Sequence, residues 1–379
     1  MPKETMTPKE RWLAVLRREK PDRVPMDYWS TPEFSAKLIK HLGYGQKSEK
    51  ELVQALTHVF ADEAGRPSSV HVALQQALQK LHVDFIVSVG GRYTGPELPA
   101  DTNMFGCTYR DVDYGTGVYS EVASHPLADL HTIEEVEAHY RWPDPDWWDY
   151  TDLPQKLVGW EDYPIRGGGS EPFLIYKDLR GDAQAMMDLV ERPEYVEYCL
   201  KKLFDLAYQN TLRIFETIPG KVQITYVAED MGGQDNLMIS RKHIRRFLLP
   251  GMKRIIDLAH QAGAYVFHHN DGNCRAILPD MIELGIDVLN PIQWRSKGMD
   301  REGLKADFGD KLIFHGAVDN QFTLPFGTPE EVRQEVEDNL RILGAGGGYI
   351  LAPCHNIQPV SPPENVVAMY EAGYENGWT

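Results

Sequence analysis

The sequence predicts an α/β protein built as one (β/α)8 barrel over residues 1–379. Three observations carry this expectation. From about residue 160 onward, short apolar runs alternate with longer helical patterns, the order that parallel strands and crossover helices require. With two earlier runs included, the strands come near eight. No Gly-rich phosphate turn follows the first of them, as a doubly wound dinucleotide-binding sheet would need.

Taken in order, Thr7-Pro8-Lys9-Glu10 opens a helix with a hydroxyl N-cap, proline in the first turn and Glu at the third helical position. Residues 24–28 and 85–89 read as the first two strands. The segment 93–125, rich in Thr, Tyr and Gly, breaks the alternation and is expected to form a β-hairpin insertion near the barrel mouth. Further strands are expected at 163–165, 222–226, 265–267, 288–289, 312–314 and 349–351. Between them, Thr328-Pro329-Glu330-Glu331 and Ser361-Pro362-Pro363-Glu364 repeat the N-terminal helix signal. Gly344 and the glycines at 346, 347 and 348 read as a helix C-cap and turn; without Gly-Lys-Ser/Thr they are not a P-loop.

Composition narrows the function. With 39 Lys and Arg against 56 Asp and Glu, the net charge of −17 argues against a nucleic-acid or anionic-membrane partner. A hydrophobic content of 42% suits a sizeable core. No run approaches the roughly 20 apolar residues of a membrane span, and the first residues lack an apolar signal core, so a cytoplasmic location is expected. Cys107, Cys199, Cys274 and Cys354 lie outside any CxxC spacing, and there is no Asn-x-Ser/Thr sequon; both fit a reducing compartment.

A barrel of this kind works at the C-terminal ends of its strands, and the apolar runs here all end in polar residues. They run into Glu229-Asp230, into His268-His269-Asn270-Asp271, into Asn290 through Trp294, into His315 and Asp319, and into Cys354-His355-Asn356. His269 and Asp271 are two apart, so an extended backbone puts both side chains on one side, and His355 or Cys354 would close a divalent-metal site. His268 reads as a packed histidine and Cys274 as a helix-packing residue, while Asp271 is either a ligand or the cap of the helix near Cys274. Glu229 and Asp230 are candidate catalytic carboxylates for general acid/base work, one of them structural. Tyr28, Trp29, Tyr226, Trp294 and His315 are the substrate-binding candidates, with Tyr93, Tyr114 and Tyr119 as further aromatic wall. The glycines at 167, 168 and 169 either admit a substrate close to the backbone or form a plain turn. The segment 142–148 reads as surface packing.

The stretch from Arg11-Trp12-Leu13-Ala14 to Lys20-Pro21-Asp22-Arg23-Val24-Pro25, with 250–273 and 347–369, resembles the uroporphyrinogen decarboxylase superfamily. The resemblance spans nearly the whole chain and implies a (β/α)8 barrel with its cleft at the C-terminal face. Authentic decarboxylases of the family carry an Arg-Gln-Ala-Gly-Arg motif after the first strand. Here that place reads Met26-Asp27-Tyr28-Trp29-Ser30-Thr31-Pro32, without arginine. The cobalamin-dependent methyltransferase branch binds zinc through His-x-Cys-Gly-Asn and a later Cys after Ala-Pro-Gly. The matching segments are His269-Asn270-Asp271-Gly272-Asn273 and Ala352-Pro353-Cys354-His355-Asn356, with Asp271 and His355 at the cysteine places.

The resemblance is therefore closer to the methyltransferase branch. It implies a metal-dependent enzyme moving a methyl group between a small methylated or methoxylated substrate and a corrinoid (cobalamin), free or on a corrinoid protein. The metal, zinc by family, would be held by His269, Asp271 and His355 or Cys354. The alternatives are tetrapyrrole decarboxylation, with Asp27, Arg23 and Tyr93 as nearby candidates, and corrinoid or tetrapyrrole binding without turnover. A homodimer is the default expectation for oligomeric state.

Overall fold

The computed structural model describes residues 3–45, 47–58, 68–113, 115 and 117–379. Seven parallel strands hydrogen-bond in chain order: β1 (Val87–Val89), β2 (Ile165–Ser170), β3 (Ile224–Val227), β4 (Tyr265–His269), β5 (Val288–Asn290), β6 (Ile313–Val318) and β7 (Tyr349–Pro353). Each new strand adds beside the last, so the sheet's twist curls it into a barrel wall.

The gap between β7 and β1 is spanned by 24–28. On one side the Asp27 N–H donates to the Leu351 carbonyl and the Leu351 N–H to the Pro25 carbonyl, both at 2.9 Å. On the other the Asp84 N–H donates to the Met26 carbonyl at 2.6 Å, and the Met26 N–H to Asp84 Oδ2 at 3.0 Å. The expected first strand is thus an eighth stave with one parallel bridge, Met26 to Leu351. Pro25 has no N–H to extend the ladder, and a side-chain carboxylate replaces the neighbouring main chain.

Strand alternation sends every second side chain inward. The N-terminal end of the barrel is plugged by α1 (Pro8–Leu16), whose Trp12, Val15 and Leu16 pack with Ile224, Val288, Ile313 and Ile350. Phe267, Tyr226 and Trp29 join the same cluster. The larger core lies between strands and helices. Thr7 and Glu10 form the expected capping box of α1, and Thr328 and Glu331 that of the helix Pro329–Ile342. The Ser361 signal is displaced: Pro362 is the N-cap, the helix begins at Pro363, and the Ser361 hydroxyl has no partner.

Below the barrel floor, three buried charges, Arg11, Arg23 and Asp84, and the half-buried Asp22 lock α1 to the stave. Arg11 pairs with Asp22 at 2.7 Å and Asp84 at 2.5 Å, and Arg23 with Asp84 at 2.8 Å. Burial alone would raise the Asp22 carboxyl, but the Arg11 guanidinium and the Thr5 and Met6 N–H groups hold it down at about 2. A depressed carboxylate stabilises the fold above its unfolded pKa, and that contribution fades as pH falls toward the folded value. Asp22→Asn is therefore expected to remove about 1 kcal/mol of the stability that wild type loses between pH 5 and pH 3, read from denaturant melts at the two pH values.

One correction concerns the glycines at 167–169. Gly169, at φ +86°, sits where β2 slips register against β3, and a Cβ there would lie 1.6 Å from the Tyr226 carbonyl oxygen. Strand-on-strand approach, neither substrate access nor a plain turn, demands this glycine. Gly169→Ala should cost about 3 kcal/mol or more, visible as a lowered denaturant midpoint. Thr108–Asp113 and Val118–Ser124 pair antiparallel. The chain just after them is fastened to the helix Pro172–Arg180, with His125 Nδ1 on the Asp178 carbonyl at 2.6 Å and the Leu127 N–H on the Leu179 carbonyl at 2.8 Å. Among the described residues no helix is long and apolar enough to cross a membrane.

Candidate metal centre

Parallel strands aim their C-terminal ends at one face. β4 ends on His268-His269, whose imidazoles point to opposite sides of the wall. His268 faces the helices, where its Nδ1–H donates to the Val227 carbonyl at 2.7 Å and burial lowers its pKa to about 4. It is a neutral packed histidine. His269 faces inward at the head of the barrel, stacked on Trp29 with centroids 5.8 Å apart.

A hydrogen-bonded chain fixes the His269 tautomer. The buried Asp27 carboxylate can only accept, and its Oδ2 takes Trp29 Nε1–H at 2.9 Å and His315 Nε2–H at 3.1 Å. With Nε2–H on Asp27, His315 Nδ1 accepts from the Asn290 amide at 2.7 Å, which turns Asn290 Oδ1 toward His269 Nδ1–H at 2.6 Å. His269 keeps its lone pair on Nε2.

That lone pair faces Asp230 Oδ1 at 3.7 Å and Asp271 Oδ1 at 3.8 Å, while His355 Nε2 lies 3.8 Å from Asp271 Oδ2. One ligand atom from each of His269, Asp271 and His355 lies within 4.8 Å of the other two. Two imidazoles and a carboxylate fit zinc or another divalent first-row ion and leave a position open. Outer contacts hold the set as metal sites require. Asp271 Oδ1 accepts from Gln293 Nε2 at 2.9 Å, and its N–H donates to Asp230 Oδ1 at 3.0 Å. Burial pushes the Asp271 carboxyl up, against the pull of His269 and His355. Gly272, at φ +71°, makes the turn possible: a Cβ there would meet the Gly233 carbonyl oxygen at 2.6 Å.

Several expected site residues fall elsewhere. Cys354 is buried, its Sγ–H on the Ile292 carbonyl at 3.1 Å, so of the two alternatives only His355 reaches Asp271. Glu229 is buried under the helix Pro172–Arg180, accepting the Phe173 N–H at 2.9 Å, with its pKa raised well above the ordinary range by burial. Asp230, beside it, faces the cavity. His315 is a positioning residue inside the barrel, below the cavity, packed against Trp12, Trp29 and Phe267 with both ring nitrogens engaged. Trp294 is clasped between Arg295 and Arg301, each 4.4 Å from its ring, and its Nε1–H donates to the Ala317 carbonyl at 3.0 Å. Arg23 is locked in the floor cluster, Tyr93 packs on Trp147 and Trp148, and Tyr119 is exposed. Tyr114 lies outside the described residues.

The cavity over the centre measures about 690 Å³, and its lining includes Tyr28, Trp29, Tyr226, Asp230, His269 and His355. Burial raises the Tyr28 hydroxyl to about 12, opposed by its contacts with Ser30 and Ser35. Sequence reasoning missed Arg166, Glu171, Ser88 and Asn290. The lone charged residue of β2 was the signal for Arg166; nothing local marks Asn290, whose role comes from its neighbours on β4 and β6.

Comparison with known proteins bears on this site. Residues 103–375 match the family described as uroporphyrinogen decarboxylase (URO-D). Uroporphyrinogen decarboxylase of Nitrosococcus oceani is 25% identical over 219 residues, covering 56% of this chain and 54% of that protein. Methylcobamide:CoM methyltransferase MtaA of Methanosarcina barkeri is 26% identical over 213 residues, covering 56% and 58%. The chain spans about half the length of the curated relatives it matches. A solved methyltransferase from Methanosarcina mazei shares the fold at TM-score 0.66 and 21% identity, covering 98% of this chain and 99% of that one.

Proposed function

Because the chain belongs to the uroporphyrinogen decarboxylase family, we propose that it is a metal-dependent methyltransferase that takes a methyl group from a small methoxylated or methylated substrate and passes it to a corrinoid. The observation that carries this reading is the His269 Nε2 lone pair, held by the Asp27-His315-Asn290 chain, facing Asp271 and His355 at the base of the cavity. A divalent ion bound there, zinc by ligand chemistry, supplies Lewis acidity toward an ether or hydroxyl oxygen.

The chain's own residues do the rest. Trp29 and Tyr226 wall the space beside His269, with ring centroids 5.8 and 6.0 Å from it, and exclude water from the reacting group. With the methyl group passed to a corrinoid acceptor, the oxygen left behind would take up a proton, and Asp230, which faces the cavity, is placed to deliver it. A corrinoid acceptor, free or carried by a corrinoid protein, would have access to this cavity from the barrel mouth. Tetrapyrrole decarboxylation is less favoured, because the arginine expected to meet its carboxylates, Arg23, lies in the floor cluster.

The test is metal analysis of protein purified without chelator, followed by incubation with methyl ethers and cobalt(I) cobalamin. Near-stoichiometric metal and appearance of the methylcobalamin spectrum are the expected results. Metal-free protein without zinc affinity would overturn the reading.

A further inference from the structure

The end of β5 and the chain just after it support two of the three metal donors at once. The β5–β6 ladder ends at Leu289 and Phe314, and beyond it the segment 290–294 stays against β6 through three hydrogen bonds. Asn290 Nδ2–H donates to His315 Nδ1 at 2.7 Å, the Ile292 N–H to the His315 carbonyl at 3.1 Å, and Trp294 Nε1–H to the Ala317 carbonyl at 3.0 Å. Asn290 turns its amide oxygen to His269 Nδ1–H. Gln293 spans the Asp271 turn, donating Nε2–H to Asp271 Oδ1 at 2.9 Å and accepting the Gly272 N–H at 2.7 Å. His269 and Asp271 thus take their orientation from one stretch of chain, and Trp294 is its outer fastening.

The backbone under that fastening is strained. Ala317 has φ +75° and Gly316 φ +110°. The left-handed region is routine for glycine but costs an alanine free energy, and such a residue persists only where its surroundings hold it. The Ala317 carbonyl is held from two sides, because it also accepts Asn339 Nδ2–H at 2.9 Å. Asn339 Oδ1 in turn takes Arg301 Nη1–H at 2.6 Å, and the Arg301 guanidinium lies 4.4 Å from the centre of the Trp294 ring. Trp294, Ala317, Asn339 and Arg301 therefore close a loop of contacts around the indole N–H. The indole does not line the cavity over the centre, so what it contributes there is position.

We propose that Trp294 is a positioning residue of the metal centre, acting through Asn290 and Gln293: its N–H, seated on the left-handed Ala317 carbonyl, fixes the segment that aims His269 and Asp271. This role rests on the metal-centre reading above.

The experiment compares zinc affinity, and the visible absorption of the cobalt(II)-loaded protein, between wild type and Trp294→Phe, which keeps an aromatic ring beside the arginines and removes the N–H. Zinc affinity is expected to fall about tenfold, as when an outer contact of a metal ligand is lost, and the cobalt(II) bands to shift. A merely structural anchor would lower the denaturant midpoint of the metal-free protein and leave both metal readouts where they were. With Asn290→Leu and Gln293→Leu already in place the link is cut, and adding Trp294→Phe should change zinc affinity by less than about twofold. Wild-type affinity and spectrum in Trp294→Phe, or the same tenfold loss repeated in that double background, overturns the positioning role. Wild type that takes up neither zinc nor cobalt(II) overturns the metal reading itself, which separates the two failures.

Discussion

His269→Ala protein, purified without chelator and titrated with zinc, is expected to hold the metal at least about a hundredfold more weakly than wild type and to lose methyl transfer with it. The imidazole is one of three donors, and the two that remain, Asp271 and His355, sit on separate loops with only Gln293 and Asp230 to orient Asp271. His355→Ala should act in the same direction. A sharper form of the prediction concerns Asn290, which touches no substrate. Asn290→Leu keeps all three donors but removes both amide contacts, at 2.6 and 2.7 Å, so His269 no longer has Nδ1–H assigned to a fixed acceptor. Metal affinity should fall about 10- to 100-fold, while the circular dichroism of the folded barrel is unchanged. Full metal retention in His269→Ala would remove the centre from this place in the protein.

Asp84→Ala should destabilise the fold by about 3–5 kcal/mol, because it leaves two guanidiniums buried without their shared anion. Arg11 and Arg23 are both buried and converge on this carboxylate. The same side chain accepts the Met26 N–H at 3.0 Å and so holds the stave that closes the barrel. A lowered denaturant midpoint with an unchanged slope is the expected reading. The stave also carries Asp27, so metal affinity should drop along with stability. Asp22→Asn, nearer the edge of the cluster, should be the milder variant.

The alternation of apolar runs and capped helices placed six of the seven strands and the stave, with β2 found at Ile165–Ser170 where 163–165 was expected, because period and cap chemistry are local properties that neighbouring residues set. His269, Asp271 and His355 were legible for a similar reason: each follows directly on an apolar run, and strand ends converge in any barrel. The errors arise where orientation around the wall matters. Trp294 and His315 stand in equally polar rim segments, yet one turns to Arg295 and Arg301 and the other lies behind His269. Glu229 and Asp230 are adjacent and face opposite ways.

By itself, then, the sequence determined the barrel, the position of its rim and the donor types on it. Only the tertiary structure decided that Asp27 governs His269 through His315 and Asn290, across residues 27, 315, 290 and 269 of the chain. It also decided that Cys354 turns into the wall and that Arg166 reaches Ser88 Oγ at the side of the cavity. The physical reason is that hydrogen-bond partners and burial belong to strands brought side by side by closure of the barrel. No periodicity along a single strand encodes what its neighbour will offer.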